Sequence, residues 1–229
     1  MATRFDSANW ISELGHAEGS FTALDRLIAD EQAVLAHLDS AVAGQDYSAI
    51  VKFFRKRGIS DAHAIHRRRM VVLAATLLEG AVGNFLRAMF EAKPDRLYEY
   101  VGSEPARGTV SIKLVVRSPS IDELLASLAE TASTRVLHMK YTSMLDHLSA
   151  LSKPYPNGLR AEIESLLQQR HRIVHEASSE SVSSERVTSI LASMRGLVQH
   201  LETAARSAGV PVYSVADHLL KLGQALQEK

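Results

Sequence analysis

The chain has 229 residues, with 26 Lys and Arg balanced by 26 Asp and Glu, 46% hydrophobic residues and no cysteine. At this length roughly 70% of the unfolded surface can be buried, so a core needs neither disulfides nor a structural metal. Zero formal net charge excludes a whole-chain pull toward nucleic acid or anionic lipid, and the missing thiols exclude cysteine nucleophiles, Cys-ligated zinc and iron–sulfur clusters.

At the N-terminus Asp6 and Glu13 stand where a signal peptide needs an apolar core. The longest apolar run, Met70 to Leu78, is too short to span a bilayer, so a soluble cytoplasmic protein with no membrane association is expected. From Ser20 to about Val42, Phe21, Leu24, Leu27, Ile28, Val34, Leu35 and Leu38 form a helical stripe closed by Gly44. A shorter segment from Tyr47 to Arg57 ends at Gly58. Ser60 then caps a long helix that reaches about Lys93, ahead of Pro94, and its nearly all-apolar stretch Met70 to Phe90 predicts a central core helix.

Between Gly102 and Pro119, Val110, Ile112 and Leu114 alternate with Ser111 and Lys113, which suggests one short strand or an extended loop near 109–116. Ser120 and Glu123 have the spacing of a capping box and open a helix through about Glu130. Further helices are expected at about Thr134 to Ala150, Leu159 to Val174 after the turn Lys153 to Gly158, Arg186 to Ala205, and Val215 to Leu226. No internal repeat or dividing linker is visible. The class is therefore all-α: a single helical domain over 1–229, with an N-terminal helical extension over 1–58 and extra helices at the C-terminal end.

The densest polar cluster is QQRHRIVHE, Gln168 to Glu176, where Arg170 and His175 are separated by four residues. Imidazole titrates nearest neutral pH and can move protons, while guanidinium is a permanently charged fork matched to two phosphate oxygens. Together they supply what RNA cleavage needs: proton transfer at the 2′-hydroxyl and 5′-oxygen, and positive charge on the phosphorane. An offset of five residues is about 140° around a helix, so the two do not share a face of an undistorted one. Either the helix end is irregular or a site is assembled across two copies.

His171 and His175 do share a face, but Arg172 stands where a zinc-protease helix places Glu, so metal binding is disfavoured; His171 reads as a phosphate or base contact or a helper of His175. A blander alternative makes Arg170, Arg172, His175 and Glu176 a solvated face with an Arg172–Glu176 ion pair. Glu79 is either a buried carboxylate bonded to the Arg or His, with Arg170 the expected partner, or an interface residue on a less buried helix. Lys52, Arg55, Lys56, Arg57, Arg67, Arg68 and Arg69, against Asp61 alone, form the candidate surface for tracking a phosphate backbone, with His63 and His66 nearby, and Arg172 is a further candidate RNA contact. The same cluster is equally readable as a solvated helix start paired with acids from elsewhere. Trp10 and the Tyr98/Tyr100 pair could stack on bases, although core packing is the commoner use of such rings. Nucleotide-binding, serine-hydrolase and zinc-protease motifs are absent from the sequence.

Arg170 and His175 match the R-x4-H motif of the HEPN superfamily, and His171 and the apolar pair Ile173/Val174 fit its surroundings. The helix Val71 to Phe90, with Glu79 in an apolar run, resembles that family's long core helix. The likeness covers about Ser60 to Leu201 and is similar to the RiboL-PSP-HEPN branch. It implies a helical bundle with a HEPN-like core at about 60–201, and a homodimer that brings two motifs together. The implied activity is a metal-independent endoribonuclease leaving 2′,3′-cyclic phosphate ends, with His175 as general acid/base, Arg170 as phosphate clamp and no cofactor. It further implies a toxin or phage-defence effector acting on RNA under an antitoxin or other regulatory protein; the alternative is a non-catalytic RNA-binding or protein-interaction module. A departure from the family is Ala177, where members silenced by tyrosine modification carry Tyr.

Overall fold

The computed structural model describes residues 3–30, 48–100, 110, 112–156 and 158–227. Eight helices and one two-stranded sheet make up the described chain. They are β1 (Phe5–Asp6), α1 (Ser7–Ala29), α2 (Ser48–Ala92), a 3-10 turn at Pro94–Glu99, α3 (Ile112–Arg117), α4 (Ile121–Leu137), α5 (Tyr141–Ser152), α6 (Leu159–His175), α7 (Ser184–Ser207), β2 (Val212–Tyr213) and α8 (Val215–Gln227).

The protein is all-α around α2, which packs against α1, α4, α6 and α7. Val71, Ala74, Leu78, Val82, Phe85 and Met89 recur at three- and four-residue spacing and are buried, and Ala75, Ala81, Leu86, Ala88 and Phe90 widen that buried surface for the surrounding helices. By length and composition α2 over Asp61–Ala92 could cross a membrane, a point the single run Met70 to Leu78 understated. Half of its most apolar window is buried inside the protein, which is how the core helix of a bundle reads. Pro94 ends it as expected, because the residue before a proline is pushed out of the helical region.

Several boundaries differ from the sequence expectation. Helix α1 begins at Ser7 rather than Ser20, capped by the Asp6 carboxylate accepting from the Asn9 amide at 3.0 Å. Leu14, Ala17 and Phe21 carry its buried face, while Leu24 and Leu27 of the predicted stripe are exposed. The part of that stripe from Val34 to Gly44 lies outside the described residues. Helix α2 runs straight through Gly58 and Ser60, which were expected to divide it; one helical glycine costs about 1 kcal/mol, less than an extra helix end would.

The strand expected near 109–116 is corrected: Ile112–Arg117 is helical, and Ser118 closes it by donating its backbone N–H and hydroxyl to Leu114 O. An isolated strand has no ladder to satisfy its backbone, whereas a helical turn bonds itself. The described strands pair instead at the two ends of the chain, parallel, with Phe5 opposite Val212.

Ser120 caps α4 by accepting from the Glu123 amide at 3.2 Å. That helix passes through Glu130–Thr134 and breaks only at His138–Lys140. Thr131 and Ser133 return their hydroxyls to the carbonyls of Ser127 and Glu130, so the polar run that looked like a break stays helical. Helices α6, α7 and α8 fall close to their expected spans.

Candidate functional site

Arg170 and His175 both lie on α6, with His175 its last residue. Arg170 Nη1 donates to His175 Nε2 at 3.2 Å within one chain. The angular objection to a shared face is thereby resolved by side-chain reach, since the long arginine arm spans the gap that Cα positions leave. Guanidinium has no acceptor atom, so Nε2 is the acceptor in this contact. Beyond the helix end Ala177 takes φ 49°, and the amides of Glu176 and Ser178 both close on Arg172 O at 3.2 and 3.1 Å. This turn fixes where His175 sits.

The His171 ring lies 4.9 Å from that of His175, tilted by 39°, and its Nε2 is 3.9 Å from Glu176 Oε1. Among the described residues, no three His, Asp or Glu side chains form a metal-binding group. Arg172 does not pair with Glu176. It makes a two-pronged contact with Glu180 at 3.0 and 3.3 Å, which ties the polar segment after α6 back onto the helix and engages the guanidinium proposed for RNA.

Glu79 is exposed on α2, and no hydrogen bond or ion pair joins it to Arg170 or to any other described residue. The expectation of a buried, Arg-bonded carboxylate is corrected: Glu79 lies on an exposed part of the helix surface. Glu79 nevertheless shares a groove of about 470 Å3 with Arg170 and His171. Its apolar lining is Leu137, Met139, Met144 and Leu167, from α4, the α4–α5 corner, α5 and α6. The corner at His138–Lys140 creates this groove, and placing the helix break earlier hid it from the sequence.

The basic cluster is divided. The side chains of Lys52, Arg55 and Lys56 lie outside the described residues. Arg57 faces Asp61 at 3.8 Å, and Arg67 is committed to Asp25, through Nε at 2.8 Å and Nη2 at 3.2 Å. Arg68 and Arg69 have no acid partner among the described residues. The Asp25 carboxylate also accepts from His63 Nε2 at 2.5 Å and Ser184 Oγ at 3.0 Å, joining α1, α2 and α7. Burial pushes its carboxyl up, but the bonds from Arg67, His63 and Ser184 outweigh that and hold it down at about 2. No sequence signal singled out Asp25, one of three acids on α1 with Glu13 and Glu18.

Aromatic residues considered for base stacking are structural where described. Trp10 packs its ring over Gly80 and donates Nε1–H to Asn84 Oδ1 at 3.2 Å. Tyr100 is buried against Phe90 and bonds His147. The Tyr98 side chain lies outside the described residues.

Comparison with protein-family models, with curated proteins and with solved structures finds no match to this chain.

Proposed function

We propose that this protein is a metal-independent endoribonuclease of the HEPN type, acting as a toxin or defence effector in a homodimeric site. The observation that carries the reading is the contact of Arg170 with His175, 3.2 Å apart at the open end of α6. A cation fork touching an imidazole is the minimal pair for phosphodiester transesterification. The remaining Arg170 N–H groups have no described protein partner and are free for phosphate oxygens.

In the proposed reaction a phosphate draws the guanidinium away from His175, which releases Nε2 to take the 2′-hydroxyl proton. The 2′-oxygen attacks phosphorus, the P–O5′ bond breaks, and the departing oxygen takes a proton from the second copy's His175, which enters the step as the imidazolium. The products are a 2′,3′-cyclic phosphate and a 5′-hydroxyl, so no water or metal enters the step. A two-fold axis would place two such motifs at one phosphate.

The test is incubation of the full chain with total RNA in EDTA, beside folded His175→Ala and Arg170→Ala variants. Wild-type cleavage leaving cyclic phosphate ends, slowed by about 10²- to 10⁴-fold in each variant, is expected. Unchanged cleavage by folded His175→Ala sinks the assignment. RNA binding without cleavage by the wild type would make the protein a non-catalytic binding module.

A further inference from the structure

We infer that the groove beside Arg170 is a nucleobase pocket for guanine, with Glu79 as its specificity-determining residue. The inference rests on the ribonuclease reading for placing a phosphate at Arg170 and His175, and it names the base next to that phosphate. The groove, at about 470 Å3, falls within the roughly 300–1,000 Å3 of small-ligand sites. Its lining is chemically divided.

It carries Arg170 and His171 from α6, with Lys140 at the α4–α5 corner. These are donors suited to phosphate. The one acid among the lining residues is Glu79, an acceptor-only carboxylate without a described partner. A carboxylate beside a phosphate repels it, so Glu79 cannot serve the same group as Arg170. It fits a neutral ligand part that presents N–H donors.

Leu137, Met139, Met144 and Leu167 in the lining offer apolar, polarizable contact for a flat ring, and half-buried Tyr141 adds an aromatic ring to the lining. A flat ring with N–H donors, attached to a phosphate, is a nucleobase. Among the four RNA bases only guanine aligns two donors, N1–H and N2–H, along its Watson–Crick edge, matching both oxygens of one carboxylate. Adenine and cytosine each set one exocyclic amine beside an acceptor nitrogen, and uracil sets one N–H between two carbonyls. Those acceptors would face Glu79 unfavourably.

The test is calorimetric titration of the full chain with the four ribonucleoside 3′-monophosphates, for wild type, Glu79→Gln and Tyr141→Ala, each checked for fold by circular dichroism. Guanosine monophosphate should bind the wild type about 10- to 100-fold more tightly than the others, as one bidentate base contact allows. Glu79→Gln should remove that preference, because its amide presents only one acceptor. Tyr141→Ala should weaken all four alike. Equal binding of the four by the wild type, or a preference that survives in Glu79→Gln, overturns the inference. Mapping the cleaved ends of total RNA separates the two readings. Cleavage without guanine bias leaves the ribonuclease and removes the pocket, whereas guanine-selective binding without cleavage leaves the pocket and removes the ribonuclease.

Discussion

Two residues show how local backbone and packing constraints act in opposite senses. Ala177 takes φ 49°, in the left-handed region where Cβ crowds the backbone and glycine is unstrained. Ala177→Gly should therefore stabilise the protein by about 0.5–1 kcal/mol, read as a rise in the urea midpoint. Gly80 is helical, and the constraint there is space: a Cβ would meet Trp10 Cη2 at 2.5 Å and Cζ3 at 2.9 Å. The indole is anchored by its bond to Asn84 and cannot swing clear. Gly80→Ala should destabilise by about 1–3 kcal/mol, outweighing the roughly 1 kcal/mol of helix propensity that alanine adds. At this scale the sequence singled out Arg170 and His175 as one motif, but residue spacing could not say that one side chain reaches the other. That depends on rotamers, which the pattern of residue types does not encode.

At the scale of elements, the junction of α1, α2 and α7 is held by one carboxylate. Asp25 is lowered from 3.8 to about 2 in the fold, so it binds fewer protons than the unfolded chain between those values. Its contribution is complete above about pH 4 and is lost as pH falls through about 2, on the order of 1–2 kcal/mol. Asp25→Asn should lower the urea midpoint at pH 7 and converge on the wild type near pH 2. A constant difference between the two across that range would show that the carboxylate's charge is not what holds the junction. Helix existence and type were legible for most elements, because apolar spacing and caps such as Ser120 are local. The α4–α5 corner was not. The hydroxyls of Thr131 and Ser133 look like break signals in sequence, yet they bond back into their own helix.

For the whole molecule, the short parallel pairing of β1 with β2 joins the chain's ends through the core. Phe5 is fully buried and meets Phe85 of α2 edge-on, with ring centroids 5.7 Å apart. Its burial comes from a two-residue strand, so removal takes both the ring and the anchor of the N-terminal end. Phe5→Ala should cost about 3–5 kcal/mol in a denaturation curve, the range for emptying a buried phenylalanine site. The amino-acid sequence by itself determined the helical class, the central helix ending at Pro94, the absence of thiol chemistry and the residue pair that draws attention at the end of α6. Those follow from composition and from periodicity along one element, where neighbours in sequence are neighbours in space. Tertiary structure alone decided that Glu79 stands exposed beside Arg170 in a groove, that Asp25 gathers Arg67, His63 and Ser184, and that Trp10 is bound to Gly80. Each of these joins side chains from different helices, and their meeting is set by how the faces pack.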